Sequence, residues 1–342
     1  MPLLVAAPDK FRGTATAHEV AEAIGRAASP LGWTVVAVPL SDGGEGLLEA
    51  FDAPGSRLET TSVTGPDGAA VGASWRVLGD TAVIEMARAS GLVLAGGARG
   101  NDPLRATSRG TGELMVAASD AVGVGGTVVV GLGGSATTDG GLGALRAVEE
   151  AGGLHGVTLV GACDVRVGFV EAATLFAPQK GASAEQVSEL EDRLRSLADS
   201  YCREFGIDVV AVPGAGAAGG LGGGLLALGG TLRSGYELVA EFHGLRRLLE
   251  QAQLVITGEG LLDRSSFSGK VVGGVVGDAA SLGVDALVVA GRVSDDAGVA
   301  ARDAGLRVVS LSRRFGERRA MEDTVACVES VVRDALGPIG LG

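Results

Sequence analysis

The sequence predicts an α/β protein: a doubly wound, mostly parallel sheet domain built from both chain ends, with a mixed α/β domain inserted between them. Three observations carry this. Short Val/Leu/Ile runs without polar alternation recur near both ends, as buried parallel strands require. Segments of helical periodicity separate them. Polar, glycine-rich clusters follow the runs directly, where open α/β sheets place their ligand loops.

Leu3 to Ala7 reads as the first strand, ended by Pro8-Asp9-Lys10. Thr16 and Glu19 have capping-box spacing, and Ala17, Val20, Ala21 and Ile24 form a helical stripe. Trp33 to Leu40 reads as a second strand, completing a βαβ unit that enters Ser41-Asp42-Gly43-Gly44-Glu45-Gly46 and another helix. In the middle, Ala73–Leu78 and Ala82–Met86 flank Gly79-Asp80 as a hairpin, after a turn at Pro66-Asp67-Gly68. A helix near 111–122, a strand over Thr127–Val130 and a helix from Ser183 to Phe205, capped through Gln186, follow. Leu254–Ile256, Ala286–Ala290 and Arg307–Leu311 are the closing strands. The expected domains are 1–60 with 250–342, and 61–249, with the active site in the cleft between them.

Glycine is the outlier of the composition, at 58 of 342 residues, more than twice its usual share of about 7%. The glycines have no G-X-Y period and cluster beside apolar runs, which suits tight turns and close backbone approach. The net charge of −13 speaks against a general nucleic-acid or anionic-membrane binder. Anionic ligands must therefore be held by a few local cations and by backbone N–H groups. Cys163, Cys202 and Cys327 are widely spaced, implying reduced thiols and no zinc site. No apolar run reaches about 18 residues and no basic segment precedes the first one, so the expectation is a cytoplasmic protein with no membrane partner.

The acidic and glycine-rich loops after the strands suit a metal–phosphate site, with carboxylates for Mg²⁺ and N–H groups for phosphate oxygens. The sharpest is Gly131 to Gly141, with five glycines, three hydroxyls and Asp139 straight after an apolar strand. The three lysines, Lys10, Lys180 and Lys270, each sit beside a turn, where phosphate contact competes with ordinary solvation. Gly214 to Gly219 matches G-x-G-x-x-G after the apolar run Val209–Val212, so nicotinamide dinucleotide binding is weighed. Pro213 intervenes, and Glu237 is a poor ribose ligand. A P-loop is absent, because Arg264 stands where its first glycine should be and Val271 follows Lys270. His18, His155 and His243 have no triad pattern.

Ten motifs in order then resemble the bacterial glycerate kinase type 1 family. They are Ala7-Pro8-Asp9-Lys10-Phe11, Ser41 to Gly46, Thr64-Gly65-Pro66, Ile84 to Leu92 and Gly110-Thr111-Gly112-Glu113. Gly133 to Gly141, Ala162-Cys163-Asp164-Val165, Pro178 to Ala182, Pro213 to Gly220, and Ile256 to Asp263 with Gly269-Lys270 complete the series. The resemblance covers nearly the whole chain. It implies ATP-dependent phosphorylation of D-glycerate, generally at the 2-hydroxyl, and a two-domain α/β architecture; a homodimer is compatible with it. Three departures stand out. Lys10-Phe11-Arg12 replaces Ser-Phe-Lys after the first Asp, the stretch between Gly141 and Cys163 is short, and Arg166-Val167-Gly168-Phe169 lacks the family's Asn-Pro-Leu and Gly-Pro-x-Gly turns.

Under this resemblance Asp42, Asp139 and Lys10 are the expected catalytic groups, Asp42 or Asp139 orienting or deprotonating the hydroxyl. Arg12, Arg109 and Ser135 are expected to bind the substrate. Gly133, Gly134, Thr137, Lys180 and Lys270 would hold the phosphates of ATP, and Asp164, Glu259 and Asp263 would hold Mg²⁺. The rival readings are a kinase for another small hydroxy acid, a non-catalytic small-molecule-binding relative, and a nicotinamide oxidoreductase.

Overall fold

The computed structural model describes residues 1–267 and 269–337. In chain order its strands are β1 (Leu3–Ala6), β2 (Thr34–Ala37), β3 (Arg57–Thr64), β4 (Ala70–Leu78), β5 (Thr81–Glu85) and β6 (Thr127–Gly131). They continue as β7 (Thr158–Ala162), β8 (Thr231–Arg233), β9 (Leu254–Leu262), β10 (Asp285–Val293) and β11 (Arg307–Ser310). Two compact units result: Met1–Asp42 together with the chain from Tyr236 on, and Gly43–Gly235. The sequence reading placed these transitions at 60/61 and 249/250.

The first unit holds a wholly parallel sheet in the order β11-β10-β9-β1-β2. Strand order reverses between β1 and β9, which makes their carboxyl ends the switch point of a doubly wound sheet. The Thr16/Glu19 capping box starts helix Ala17–Ala28 as its spacing predicts. That helix and Thr324–Leu336 bury Val20, Ile24, Val328 and Val332 against Leu4, Ile256 and Val289. On another part of the sheet, helices Val271–Leu282 and Asp295–Asp303 bring Val272 and Ala297 to Leu262, Val288 and Ala290. Each such fully buried Leu, Ile or Val contributes about 1.5–3 kcal/mol. Strands covered in this way lose any polar alternation, which is why they read as continuous apolar runs.

The second unit carries the six-stranded sheet β3-β4-β5-β6-β7-β8, antiparallel from β3 to β5 and parallel from β5 to β8. The Gly79-Asp80 hairpin turn lies where expected, between β4 and β5. Helix Ala184–Phe205 starts on the Ser183/Gln186 capping box and buries Leu190, Leu194, Ala198 and Tyr201 along one stripe. Two expectations shorten: β2 spans only Thr34–Ala37, and the helix after Gly46 is the single turn Leu47–Ala50.

The G-x-G-x-x-G match at Gly214–Gly219, already set against by Pro213, lacks the structural context that a dinucleotide site needs. Val209–Val212 forms turns, not a strand, so no β-turn-α unit presents those glycines to a pyrophosphate. Their smallness serves packing. Gly219 has φ +70°, and a Cβ there would lie 1.9 Å from the Thr137 carbonyl oxygen.

Candidate active site

In the first unit the carboxyl ends of β1 and β9 open into a cavity of about 370 Å³ lined by Asp9, Lys10, Arg12, Asp42, Glu259, Lys270 and Arg292. The loop after β1 keeps the sheet's hydrogen bonding for two further residues: Ala7 N–H donates to the Ile256 carbonyl and Asp9 N–H to that of Gly258, each at 2.8 Å. Phe11, fully buried, anchors the loop beyond. These constraints leave the Lys10 ammonium 3.3 Å from Asp42 Oδ1 and 3.5 Å from Asp9 Oδ1.

The electrostatics follow from burial. Removal from water pushes Asp9 up to about 6, with the Asp42 charge adding to the rise and Lys10 opposing it. Lys10 loses solvation too, but Asp9 and Asp42 outweigh this and raise its pKa. Burial pushes Glu259 up to about 7, against a hydrogen bond with Ser266 and reinforced by the Asp9 charge. Glu259 Oε1 is buried without a hydrogen-bond partner. Asp263 differs: its Oδ1 accepts from Ser265 N–H at 2.7 Å and Ser265 Oγ at 2.6 Å, which holds its pKa down. Lys270 Nζ in turn donates to Ser265 Oγ at 2.9 Å, so Asp263 and Lys270 meet on the same serine.

In the second unit the loop after β6 is fixed on several sides. Leu92 N–H donates to the Gly134 carbonyl and Ala136 N–H to that of Ser90, each at 2.9 Å. Gly133 lies so near the 43–46 loop that a Cβ would stand 2.6 Å from Gly44 Cα. Lys180 is buried, with Nζ donating to Ser135 Oγ at 2.7 Å and to the Thr137 carbonyl at 2.6 Å. Burial lowers its pKa to about 7, against the field of Asp139. Thr137 Oγ1 and Thr138 Oγ1 are buried without hydrogen-bond partners.

The structure thus brings Lys10, Arg12, Asp42, Glu259 and Lys270 to one cavity, with Asp263 linked to Lys270 through Ser265. It brings Gly133, Gly134, Ser135, Thr137 and Lys180 to one loop cluster. Other expected site residues are engaged elsewhere. Asp139 Oδ2 accepts from Ser108 N–H and Oγ, each at 2.8 Å, and from Gly143 N–H at 3.3 Å; Oδ1 accepts from Gly141 N–H at 3.2 Å. Arg109 is paired with Glu113 at 3.0 Å and Glu150 at 2.6 Å. Asp164 Oδ1 accepts from Gly235 N–H at 2.9 Å, where helix Gly235–His243 begins. Among the described residues no three His, Cys, Asp or Glu side chains gather as a ready cation site. Among the charged residues lining the cavity, Asp9, Arg292 and Glu317 are outside the expected site residues. Asp9 and Arg292 belong to polar clusters that the sequence places after strands, Asp9-Lys10 and Gly291-Arg292; Arg292 lies within β10, which runs on to Val293.

Comparison with known proteins gives these sites their context. The family model for the glycerate kinase family matches residues 4–151 and 149–337. The chain is 40% identical over 333 residues to a Glycerate 2-kinase of Escherichia coli K12, covering 86% of this chain and 87% of that protein. It is 38% identical over 330 residues to a Glycerate kinase of Bacillus subtilis 168, with 86% of each covered. A solved structure from Salmonella typhimurium LT2, assigned as glycerate kinase 2, superposes with a TM-score of 0.81 at 33% identity, over 98% of this chain and 97% of that one. Among the described residues no helix is long and apolar enough to cross a membrane. With nearly the whole of its length matched by model, relatives and fold alike, the chain belongs to the glycerate kinase family.

Proposed function

We propose that this kinase transfers the γ-phosphoryl group of Mg-ATP to the 2-hydroxyl of D-glycerate. A kinase of this family uses ATP as donor; the 2-position is supported by the 40% identity to the Escherichia coli protein named Glycerate 2-kinase. The observation that carries the chemistry is the Asp9–Lys10–Asp42 cluster beside Glu259 at the switch point of the parallel sheet. Phosphoryl transfer needs charge balance and positioning more than covalent participation by the protein. Asp42, half-buried beside Lys10, is suited to orient the acceptor hydroxyl and take its proton. Arg12, exposed at the cavity wall, offers a planar fork to the acceptor's carboxylate. Backbone N–H groups of the Gly133–Thr137 loop in the second unit suit phosphate oxygens, and Lys270 at the cavity of the first unit is itself a cation suited to phosphate.

Mg²⁺ commonly binds through one or two carboxylates plus substrate phosphates and water, so the lack of a three-carboxylate cage is no obstacle. Glu259, with its buried partnerless oxygen, is the group here that fits such an ion. Bound there, Mg²⁺ would neutralise charge on the phosphates. Asp139 and Arg109 are given structural roles in this reading, because their side chains are already held by Ser108, Gly141 and Gly143, and by Glu113 and Glu150.

The test is ADP release with Mg-ATP and D-glycerate, followed by enolase. Product that enolase accepts directly is 2-phosphoglycerate. Product that first needs phosphoglycerate mutase places the phosphate on the 3-hydroxyl and overturns the regiochemistry. A second reading, another small hydroxy acid as acceptor, draws on the 163–169 loop. Its Phe169 is fully buried, and Gly216 is so close that a Cβ would lie 2.1 Å from the Gly168 carbonyl oxygen. Turnover with a different hydroxy acid and none with D-glycerate would favour it.

A further inference from the structure

Lys180 ends the short 3-10 turn Pro178–Lys180 and is 3% exposed. Both of its side-chain hydrogen bonds go to the glycine-rich loop, to Ser135 Oγ and the Thr137 carbonyl. The same turn is tied to that loop a second time: Asn101 Nδ2 donates to the Ala136 carbonyl at 3.1 Å and to the Lys180 carbonyl at 2.9 Å. Gly181, the next residue, sits so tightly that a Cβ would lie 2.2 Å from the Ala98 carbonyl oxygen. A lysine offered to a phosphate would extend into a cavity. This one is turned inward, on a turn that cannot shift without moving its neighbours.

We infer that Lys180 is a positioning residue, presetting the Gly133–Asp139 loop for phosphate through Ser135 and Thr137 rather than by touching the nucleotide. The inference rests on the reading of that loop as the phosphate holder. A neutral amine has two N–H donors and can keep both bonds, but the ammonium makes each of them charge-assisted and stronger. Its charge also favours an anion on the far side of the loop. Of the elements packed against it, the loop supplies Asp139, the charged group whose field reaches the ammonium. The 97–102 segment supplies the neutral amide of Asn101, and the 90–91 segment packs on the loop through backbone. Because burial brings the ammonium's titration near neutrality, the brace weakens as pH rises through about 7.

The test is isothermal titration of wild type, Lys180→Met and Gly134→Ala with Mg-AMP-PNP from pH 6 to pH 9. At pH 6, Lys180→Met is expected to bind about tenfold more weakly than wild type, the scale of one charge-assisted hydrogen bond. The ratio of the two affinities should fall above pH 8 to the smaller value set by the two hydrogen bonds that the neutral amine keeps and Met lacks. Taking a ratio cancels the nucleotide's own titration. Gly134 has φ +69°, so Gly134→Ala strains the loop and should weaken binding across the range. If Gly134→Ala weakens binding while the wild-type to Lys180→Met ratio is one or does not vary with pH, the positioning role is overturned and the phosphate loop stands. If neither variant changes affinity, the loop does not hold phosphate and both readings fall. Should Lys180→Met not fold, Lys180→Gln, which keeps two neutral donors, replaces it with the same two outcomes.

Discussion

The Lys10 ammonium stands 3.3 Å from Asp42 Oδ1, joining the loops that leave the neighbouring parallel strands β1 and β2. On the other side of β1 runs β9, which carries Glu259, so a single lysine lies among carboxylates from three adjacent strands. The charges in this cluster offset one another. Two acids neutralise the buried cation, and the cation limits their mutual repulsion.

Asp42→Asn tests the proton-accepting role directly. The amide keeps the shape and cannot accept the hydroxyl proton, so kcat should fall by about 10²–10⁴-fold. The side chain is one-third exposed, and Tm should move little. Turnover by ADP release with saturating D-glycerate is the measurement; near-normal kcat removes Asp42 from the mechanism.

Glu259→Gln separates function from stability. Burial raises the Glu259 pKa from 4.5 to about 7, so between these values the folded protein holds a proton that the unfolded chain releases. The contribution of this group to stability is complete below about 4.5 and is lost as pH rises through about 7. Glutamine has no such dependence. At pH 8 the variant should therefore be more stable than wild type, by about 3 kcal/mol, with no advantage at pH 4.5. Activity should fall in the same variant. Equal urea midpoints for both proteins at pH 8 would mean that the carboxylate is not destabilised by its surroundings.

Much of this architecture was legible because its causes are local. Apolar runs without alternation marked β1, β9 and β10, and capping boxes at Thr16/Glu19 and Ser183/Gln186 fixed two helix starts where the residues themselves bond. The contacts that the sequence does not display depend on distant partners. Asp139 reads in the sequence as a group to orient or deprotonate the hydroxyl; only the fold shows Ser108, thirty-one positions earlier, donating to it twice. Lys180 reads in the sequence as a turn lysine suited to phosphate; only the fold shows its ammonium donating to Ser135, forty-five positions away. Asp9 acquires its importance only when β9 brings Glu259 alongside. The Gly214–Gly219 pattern misleads for the same reason, since what approaches those glycines is other backbone.

That last point is open to measurement with Gly219→Ala. The residue has φ +70°, and its Cβ would lie 1.9 Å from the Thr137 carbonyl oxygen, so the backbone itself must shift. Strain in the left-handed region and the clash together should cost roughly 2–4 kcal/mol. Wild type and variant alike should give no fluorescence change with NADH. Saturable NADH binding by wild type that Gly219→Ala abolishes would restore the dinucleotide reading.

Asp139 yields the sharpest contrast between structural and catalytic accounts. Its two oxygens satisfy N–H groups at the starts of helices Arg109–Val122 and Leu142–Glu150, donors that no intrahelical carbonyl can reach. Asp139→Ala leaves Ser108, Gly141 and Gly143 N–H groups without their acceptor and should cost about 2–4 kcal/mol. Asp139→Asn retains one acceptor oxygen and should lose about half as much. A general base would respond in the opposite pattern, because Asn would abolish proton transfer while sparing the fold. The structural account therefore expects Tm to fall in the order wild type, Asn, Ala, with kcat of the folded Asn variant within about tenfold of wild type. If the Asn variant melts like wild type but turns over a thousandfold more slowly, Asp139 accepts the proton and Asp42 does not.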